Sequence, residues 1–350
     1  MTNQPVILDL QYVFDGVGQN WQKFKGSCIL ITGGTGIIGK WLIATLLHAD
    51  KQLNLGVSVT LLTREPHVFR LAFPNLAFDR RVTLLPGNVN NFMFPRNVEY
   101  EYIIHAATDV VSARSAEDVL TTCVNGTHQV IECAKKCGTS RLLFLSSGAV
   151  YGKTPADLGA IPESFIGTLN WLSVDSAYAQ GKRVAELICS IENAKGNIAI
   201  PVARCFAMVG PFLPLNKHFA IGNFISSAIN KKSIVIYGDG KPVRSYLYLA
   251  DVALCLWLLL IKGRGGVAYN VGSDEPHSIE ALAQLVSRKL GSDIDIQIKN
   301  NSVLSSNADV YYPDTNLIRH ELDLPEHINL EDAIFRTADW YRNILPHGEK

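Results

Sequence analysis

The sequence has no excess of either charge. Its 350 residues carry 32 Lys and Arg against 32 Asp and Glu, which excludes the basic stripe of a nucleic-acid-binding surface and the polybasic patch of a protein held on an anionic membrane. Nor is there a long apolar run. The longest, Val252 to Ile261, falls short of the roughly 20 residues that span a bilayer, and it reads as a buried helix after Asp251. No Cys-x-x-Cys pair occurs among the seven cysteines, Cys28, Cys123, Cys133, Cys137, Cys189, Cys205 and Cys255. Most lie within apolar runs, as buried free thiols do. The clustered ligands that zinc needs are missing, so no metal site is expected, and the free thiols suit a reducing cytoplasm. The start, Met1 to Asp15, lacks a basic region followed by an apolar stretch, so no secretory leader is read there. Internal repeats and low-complexity segments are also absent.

What is present is core-forming sequence. Hydrophobic residues make up 47% and charged residues 18%, which predicts a sizeable buried core. Residues 1–25 read as an N-terminal extension, with Trp21 and Phe24 packing on the body of the protein. From Cys28 short apolar strands alternate with amphipathic helices. Strands are expected at Cys28–Thr32, Val57–Leu62, Val82–Leu85, Tyr102–His105, Arg141–Ser146 and Ile198–Arg204, with helices at about 37–49, 116–137 and 177–191. That alternation predicts an α/β fold with a Rossmann-type, doubly wound parallel sheet over residues 26–205. Beyond Arg204 the pattern loosens. Residues 206–350 are expected to form mainly a smaller substrate-binding lobe, some of whose elements return to the sheet, ending in a helix near 330–343 and a polar tail.

Two motifs carry chemistry. Thr32-Gly33-Gly34-Thr35-Gly36-Ile37-Ile38-Gly39 follows a strand and opens a helix, the context a dinucleotide-binding turn requires. Its glycines permit a tight turn, close approach of backbone to a pyrophosphate and close helix–strand packing, and the helix N-terminus offers free N–H groups. At the end of the second strand stands Thr63-Arg64-Glu65. NAD-selective sites usually place an acid there, whereas Arg64 can pair with a ribose 2′-phosphate, so NADP is favoured over NAD. Alternatively Arg64 lies across the adenine face and selects nothing.

The second motif is Tyr178-Ala-Gln-Gly-Lys182, preceded by Ser147 at the end of the fifth strand. Tyr178 and Lys182 lie one turn apart on one helix face. An ammonium and a nicotinamide cation beside a phenol favour the phenolate, which can take the proton of a sugar hydroxyl as hydride leaves, or return one to a ketone. Ser147 can bind the same oxygen. A lone Tyr-x-x-x-Lys is common by chance on helices; its place after Ser147 and downstream of the glycine turn gives it meaning.

With these residues in place, the chain over roughly 26–290 resembles the extended short-chain dehydrogenase/reductases, in particular the nucleotide-sugar epimerases and dehydratases. The resemblance rests also on His105-Ala-Ala-Thr108, Val124-Asn-Gly-Thr127, Ser146-Ser-Gly-Ala-Val-Tyr-Gly152, Ala203-Arg204, Val209-Gly-Pro211, Gly238-Asp-Gly240, Arg244 to Asp251 and Tyr269-Asn-Val-Gly272. It implies Ser147, Tyr178 and Lys182 as catalytic residues. It implies a dinucleotide held by Gly33, Thr35, Gly36, Ile37, Ile38, Gly39, Arg64, Asn88, Val89, Ala106, Ala107, Thr108, Asn125, Tyr178 and Lys182. The substrate, a nucleotide-diphosphate sugar, would meet Ser147, Arg244 and, more weakly supported, Asn223. It also implies a homodimer built on the helices at 116–137 and 177–191.

Departures from the family pattern narrow the reaction. Sugar 4,6-dehydratases place Asp-Glu after the catalytic threonine, and the sugar decarboxylases also carry a glutamate at the second of these positions. Here the two positions are Gly148 and Ala149, neither an acid nor a base. Redox chemistry at one sugar carbon, most often carbon 4, remains, as an epimerase or as a reductase of a 4-keto-6-deoxy sugar. Ala207 stands where an asparagine is usual, and Gly87-Asn88 where Gly-Asp is usual, although Asn88 can still bond adenine. The stretch from Gly152 to Tyr178, with Trp171, is expected to shape the sugar pocket or to act as a lid. The rival class is a non-catalytic dinucleotide-binding sensor, which would usually have lost the tyrosine or the lysine.

Overall fold

The computed structural model describes residues 6–95, 97–108, 115–155, 157–217, 219–291, 294–299 and 309–344. The polar tail expected after the last helix lies mostly outside these residues, as do residues 1–5 of the N-terminal extension.

A seven-stranded parallel sheet forms the centre. In chain order it contains β1 (Cys28–Thr32), β2 (Ser58–Thr63), β3 (Val82–Pro86), β4 (Tyr102–His105), β5 (Arg141–Ser147) and β6 (Val202–Cys205), with β11 (Ala268–Val271) arriving much later; the spatial order is β11-β6-β5-β4-β1-β2-β3. Strands such as Ile29-Leu30-Ile31 are apolar throughout because helices cover both faces of the sheet. The chain winds outward from β1 to β3, then restarts on the other side of β1 with β4. The carboxyl ends of β1 and β4 therefore flank the point where strand order reverses, the usual seat of a ligand in such sheets.

The covering helices are α1 (Ile7–Val17), α2 (Ile37–Leu53), the short α3 (Pro66–Ala72) and α4 (Pro74–Ala77), α5 (Ala116–Lys136) and α6 (Ala177–Asn193). The sixth strand begins later than the sequence pattern predicts. Pro201 has no N–H for the ladder, so continuous pairing with β5 starts at Val202, and upstream only an isolated bridge joins Arg141 and Ala199. β11 was not anticipated as a strand; its four residues acquire that form by pairing with β6, from Ala268 opposite Val202 to Val271 opposite Cys205.

Beyond β6 lie β7 (Met208–Val209), α7 (Ala220–Ile229), β8 (Ile234–Tyr237), β9 (Val243–Arg244), β10 (Leu247–Tyr248), α8 (Leu249–Lys262), β12 (His277–Ser278), α9 (Ile279–Leu290), β13 (Ile296–Lys299), β14 (Val310–Tyr311), α10 (Asn316–Leu322) and α11 (Leu330–Ile344). Three small sheets tie this region together: β10 with β7, β13 with β8, and the three-stranded β12-β9-β14. Phe224, Leu282 and Ile334 belong to the same hydrophobic cluster as Ile31 and Leu42, so one continuous core underlies both parts. The apolar run 252–261 is a fully buried helix, and no helix of the described residues is long and apolar enough to cross a membrane.

The N-terminal segment is fastened to the body. Trp21 and Phe24 are buried, with their ring centroids 5.4 and 5.2 Å from that of Trp257. From α1, Asp9 accepts hydrogen bonds from Tyr248 at 2.7 Å and Arg336 at 2.6 Å. Tyr12 donates to Asp251 at 2.5 Å, and the Ile328 N–H donates to the other Asp251 oxygen at 3.2 Å.

Burial pushes the Asp251 carboxyl up to about 7. In an unfolded chain an aspartate titrates near 3.9. Between those values the folded protein holds a proton that the unfolded chain has lost, so stability contributed below this window drains away as pH rises through it. Asp251→Asn, which stays neutral, is expected to flatten the fall in melting temperature between about pH 4 and pH 7. Parallel melting-temperature profiles for the two proteins would contradict this.

Candidate active site

The turn between β1 and α2 is shaped by the approach of another strand end. Gly33 has φ +71°, and a Cβ there would lie 2.8 Å from the Ala106 carbonyl and the Ala107 nitrogen. The contact is backbone on backbone, so neither side can yield. The Ala106 N–H donates to the Thr32 carbonyl at 3.1 Å and the Ala107 N–H to Thr32 Oγ1 at 3.3 Å. Thr32 Oγ1 lies 2.8 Å from His105 Nδ1, and His105 Nε2 lies 3.2 Å from Thr127 Oγ1. Burial, with the nearby charge of Lys182, pushes His105 down to about 3. A neutral imidazole thus joins β1, β4 and α5.

Gly36 precedes the first turn of α2, whose opening N–H groups at Ile37, Ile38 and Gly39 have no intrahelical acceptor. Gly36 is exposed and Thr35, Ile37 and Ile38 are half-buried. A bare glycine turn with open donors at the switch point fits a dinucleotide pyrophosphate. Arg64 and Glu65 are both exposed at the end of β2, and Glu65 Oε2 lies 3.6 Å from His67. The Asn88 side chain accepts the Asn90 N–H at 3.0 Å in a local turn, with Val89 buried beside it. Thr108 Oγ1 donates to the Ala107 carbonyl at 2.8 Å. Asn125 is exposed on α5, between Cys123, which lines the contact with α6, and Thr127.

On the other side of β4, β5 delivers Ser147 and α6 delivers Tyr178 and Lys182. The Ser147 hydroxyl lies near the Tyr178 phenol and lowers its pKa, and Ser147 Oγ accepts the Ala149 N–H at 3.2 Å. Lys182 is buried; its ammonium donates to the Leu145 carbonyl at 2.6 Å and lies 4.8 Å from the centroid of the Phe144 ring. The protein groups alone set the electrostatics as follows. Burial pushes the Tyr178 phenol up to about 12, and the nearby Ser147 hydroxyl only partly offsets this. The Lys182 ammonium turns to a backbone carbonyl, and burial lowers its own pKa. The protein by itself therefore favours the neutral phenol.

The wall behind Ser147 is rigid. Ser146 donates to Glu186 at 2.5 Å, Arg204 bonds both Glu186 oxygens and the Tyr151 hydroxyl, and Tyr151 donates to Asn270 at 2.7 Å. Trp171 is 69% exposed; its carbonyl accepts from Gln180 at 3.2 Å, and its ring does not line this wall. Asn223 is exposed on α7. Arg244 donates to the Asp309 carboxylate at 2.5 Å and to the Val243 and Asp309 carbonyls at 2.8 Å.

One side chain that no motif singled out enters the site. Tyr311, on β14, stacks on Phe206 with centroids 4.9 Å apart, and the Arg244 guanidinium lies 5.5 Å from the centroid of its ring. Burial raises its phenol strongly, and the charge of Tyr178 adds to the rise. A Cβ at Gly148 would meet the Tyr311 hydroxyl at 2.3 Å and the Phe206 ring at 2.8 Å. Glycine at 148 is thus a condition of Tyr311 lying beside Ser147. Among the described residues, no group of three or more His, Cys, Asp or Glu is arranged to hold a metal ion.

Gly148→Ala is expected to destabilise the protein by about 1–3 kcal/mol through overpacking. Tyr311→Phe in the same chain should recover part of that loss, because the two sites are coupled by contact. Thermal unfolding of the single and double variants measures the coupling, and strictly additive losses would argue against the contact.

Comparison with known proteins gives consistent matches. The chain is 25% identical over 283 residues to UDP-glucuronic acid decarboxylase 2 of Arabidopsis thaliana, an alignment that covers 80% of this chain but only 61% of that relative. It is 25% identical over 323 residues to dTDP-glucose 4,6-dehydratase of Streptomyces niveus, covering 90% of this chain and 93% of that one. Among solved structures, the UDP-glucose 4-epimerase of Thermotoga maritima, crystallised with UDP-glucose, superposes with a TM-score of 0.75 at 22% identity over 91% of this chain and 99% of that one, which speaks to the fold. The family model for the NAD dependent epimerase/dehydratase family matches residues 29–272, and the chain belongs to that family.

Proposed function

We propose that this protein is a nucleotide-sugar oxidoreductase that moves a hydride to or from a single sugar carbon, with NAD(P) as partner. The observation that carries this reading is the pairing of Ser147, Tyr178 and Lys182 with a carboxylate-free neighbourhood, Gly148 and Ala149, over which the Tyr311 hydroxyl lies. The relatives named for decarboxylation and dehydration supply the nucleotide-sugar class. The absence of an acid at 148 and 149 argues against a second elimination or decarboxylation step here.

The nicotinamide supplies or accepts the hydride. Ser147 and Tyr178 bind the substrate oxygen between them. In reduction the neutral Tyr178 phenol gives its proton to the ketone oxygen as hydride reaches the carbon; in oxidation the proton and hydride leave by the same routes. Lys182 holds positive charge beneath this site without itself taking the Tyr178 proton, since its ammonium is bonded to Leu145.

Two outcomes share this chemistry. Reduction of a keto sugar is favoured by Arg64, which suits exchangeable NADPH, and by burial that keeps Tyr178 protonated. Epimerisation is favoured by the Ser146–Gly152 segment, which is compatible with epimerases of the family. A panel of nucleotide sugars and 4-keto sugars, followed at the reduced-nicotinamide absorbance, separates them: net NADPH consumption means reductase, and interconversion without it means epimerase. Tyr178→Phe should lower turnover by about 100-fold or more with cofactor affinity retained, and unchanged turnover would refute the proposal. Arg64→Ala should weaken NADP more than NAD, and equal affinities in both proteins would remove the NADP preference.

We infer further that the protein is a homodimer joined through α5 and α6. Leu120 on α5 and Val184, Leu187 and Ile191 on α6 are exposed, and the three on α6 share one helix face. Sedimentation at micromolar concentration should find a dimer, and Leu187→Glu a monomer. A monomeric wild-type protein at that concentration would overturn this.

A further inference from the structure

The turn that precedes α6 holds apolar side chains out to solvent on a fixed backbone. The Asn170 side chain accepts the Leu172 N–H at 3.3 Å, the Asn170 carbonyl accepts the Ser173 N–H at 3.2 Å, and the Ser176 hydroxyl donates to the Ser173 carbonyl at 2.7 Å. On this frame Leu172 is 96% exposed, and Ile166, Trp171 and Val174 are also largely exposed. Two side chains of α6 fasten the frame. Gln180 donates to the Trp171 carbonyl at 3.2 Å, and Arg183 donates to the Ile166 carbonyl at 2.6 Å. Gln180 shares one helix face with Val184, Leu187 and Ile191. The apolar stripe of α6 therefore continues beyond the helix N-terminus onto Trp171 and Leu172.

The stripe carries no charge. From 184 to 194 the exposed residues are Val184, Leu187, Ser190, Ile191 and Ala194, and depletion of charge marks the core of a protein interface. A continuous apolar face of this kind is rarely left in water by a monomer. Charge gathers instead at its two ends. α5 joins β4 to β5 and α6 joins β5 to β6, all parallel strands, so the two helices point the same way. Glu117, Asp118 and Asp175 stand at their N-terminal end. Lys135, Lys136 and Lys195 stand at their C-terminal end, against Glu132 and Glu192. A two-fold axis across the helices brings the acidic end of one copy to the more basic end of the other, and carries each Trp171–Leu172 turn to the last turns of α5 and α6 in the second copy. We infer that this turn is a clasp that closes on a second copy of the chain, and not a lid over the sugar pocket. This rests on the α5/α6 dimer inferred above.

Trp171 supplies its own signal. Among the described residues Trp21, Trp41, Trp257 and Trp340 are buried, so the acrylamide quenching of wild type less that of Trp171→Phe isolates this one ring. In the wild-type dimer the ring is expected to be less quenched, and its emission shifted to the blue, relative to the Leu187→Glu monomer. Sedimentation of the double variant Trp171→Ser, Leu172→Ser should find the dimer dissociation constant raised by about tenfold or more, the scale of losing an anchoring aromatic. Both side chains are exposed, so the fold of each subunit should persist. Failure of either result in a protein that dimerises overturns the clasp and leaves the α5/α6 dimer standing. A monomeric wild type overturns both. Shielding of Trp171 that arises only when UDP-glucose or dTDP-glucose is added, and arises equally in the Leu187→Glu monomer, assigns the turn to the substrate and overturns the clasp as well. Should the double variant misfold, the quenching of Trp171 in wild type decides the question.

Discussion

The contact between Gly33 and the Ala106–Ala107 backbone is the constraint on which the site depends. It sets the end of β1 against the end of β4 with no space for a side chain. Thr32 then reaches across to bond Ala106, Ala107 and His105 at once, and His105 passes the constraint to Thr127 on α5. Because α5 packs along α6, the position of Tyr178 and Lys182 is tied, through a neutral buried imidazole, to the turn that opens α2. The glycine turn and the Ser147–Tyr178–Lys182 group are thus registered to each other through backbone and short polar side chains, which have few alternative rotamers.

Much of this was legible in the sequence because parallel strands buried on both faces must be continuously apolar. β1, β4 and β5 stand out for that reason, and the glycine turn between β1 and α2 follows directly. The elements that escaped notice owe their form to distant partners. β11 is a strand because β6 lies beside it, and β6 starts where Pro201 stops interfering with the ladder. Tyr311 carries no local signal. It gains its place in the candidate site through the pairing of the two-residue β14 with β9, and the one hint in the sequence is the glycine at 148 that makes room for it. The protonation of Tyr178 in the protein alone has a related cause. Spacing of four residues says that Lys182 is near, but only the fold says that its ammonium is bonded to Leu145 and that burial dominates the phenol.

The site also illustrates how subtraction of side chains directs chemistry. With no carboxylate at 148 or 149, the neighbourhood of Ser147 is furnished by aromatic groups, Tyr178, Tyr311 and Phe206. Such a pocket disfavours negative charge on its own phenols, since burial raises both tyrosines. Cationic help comes from farther off, at Lys182 and Arg244, each of which already has a backbone carbonyl as partner. Both phenols therefore rest in the neutral form.

The ties between α1 and the late elements have a consequence for biosynthesis. Tyr12 meets Asp251 across 239 residues of chain, and Asp9 meets Arg336 across 327. While the chain is being made at roughly 5–20 residues per second, α1 can pack on α2 early, but its contacts with α8 wait until that helix leaves the ribosome, an interval on the order of ten to fifty seconds at that rate. During that interval the rings of Trp21 and Phe24, which Trp257 of α8 later covers, are open to a chaperone.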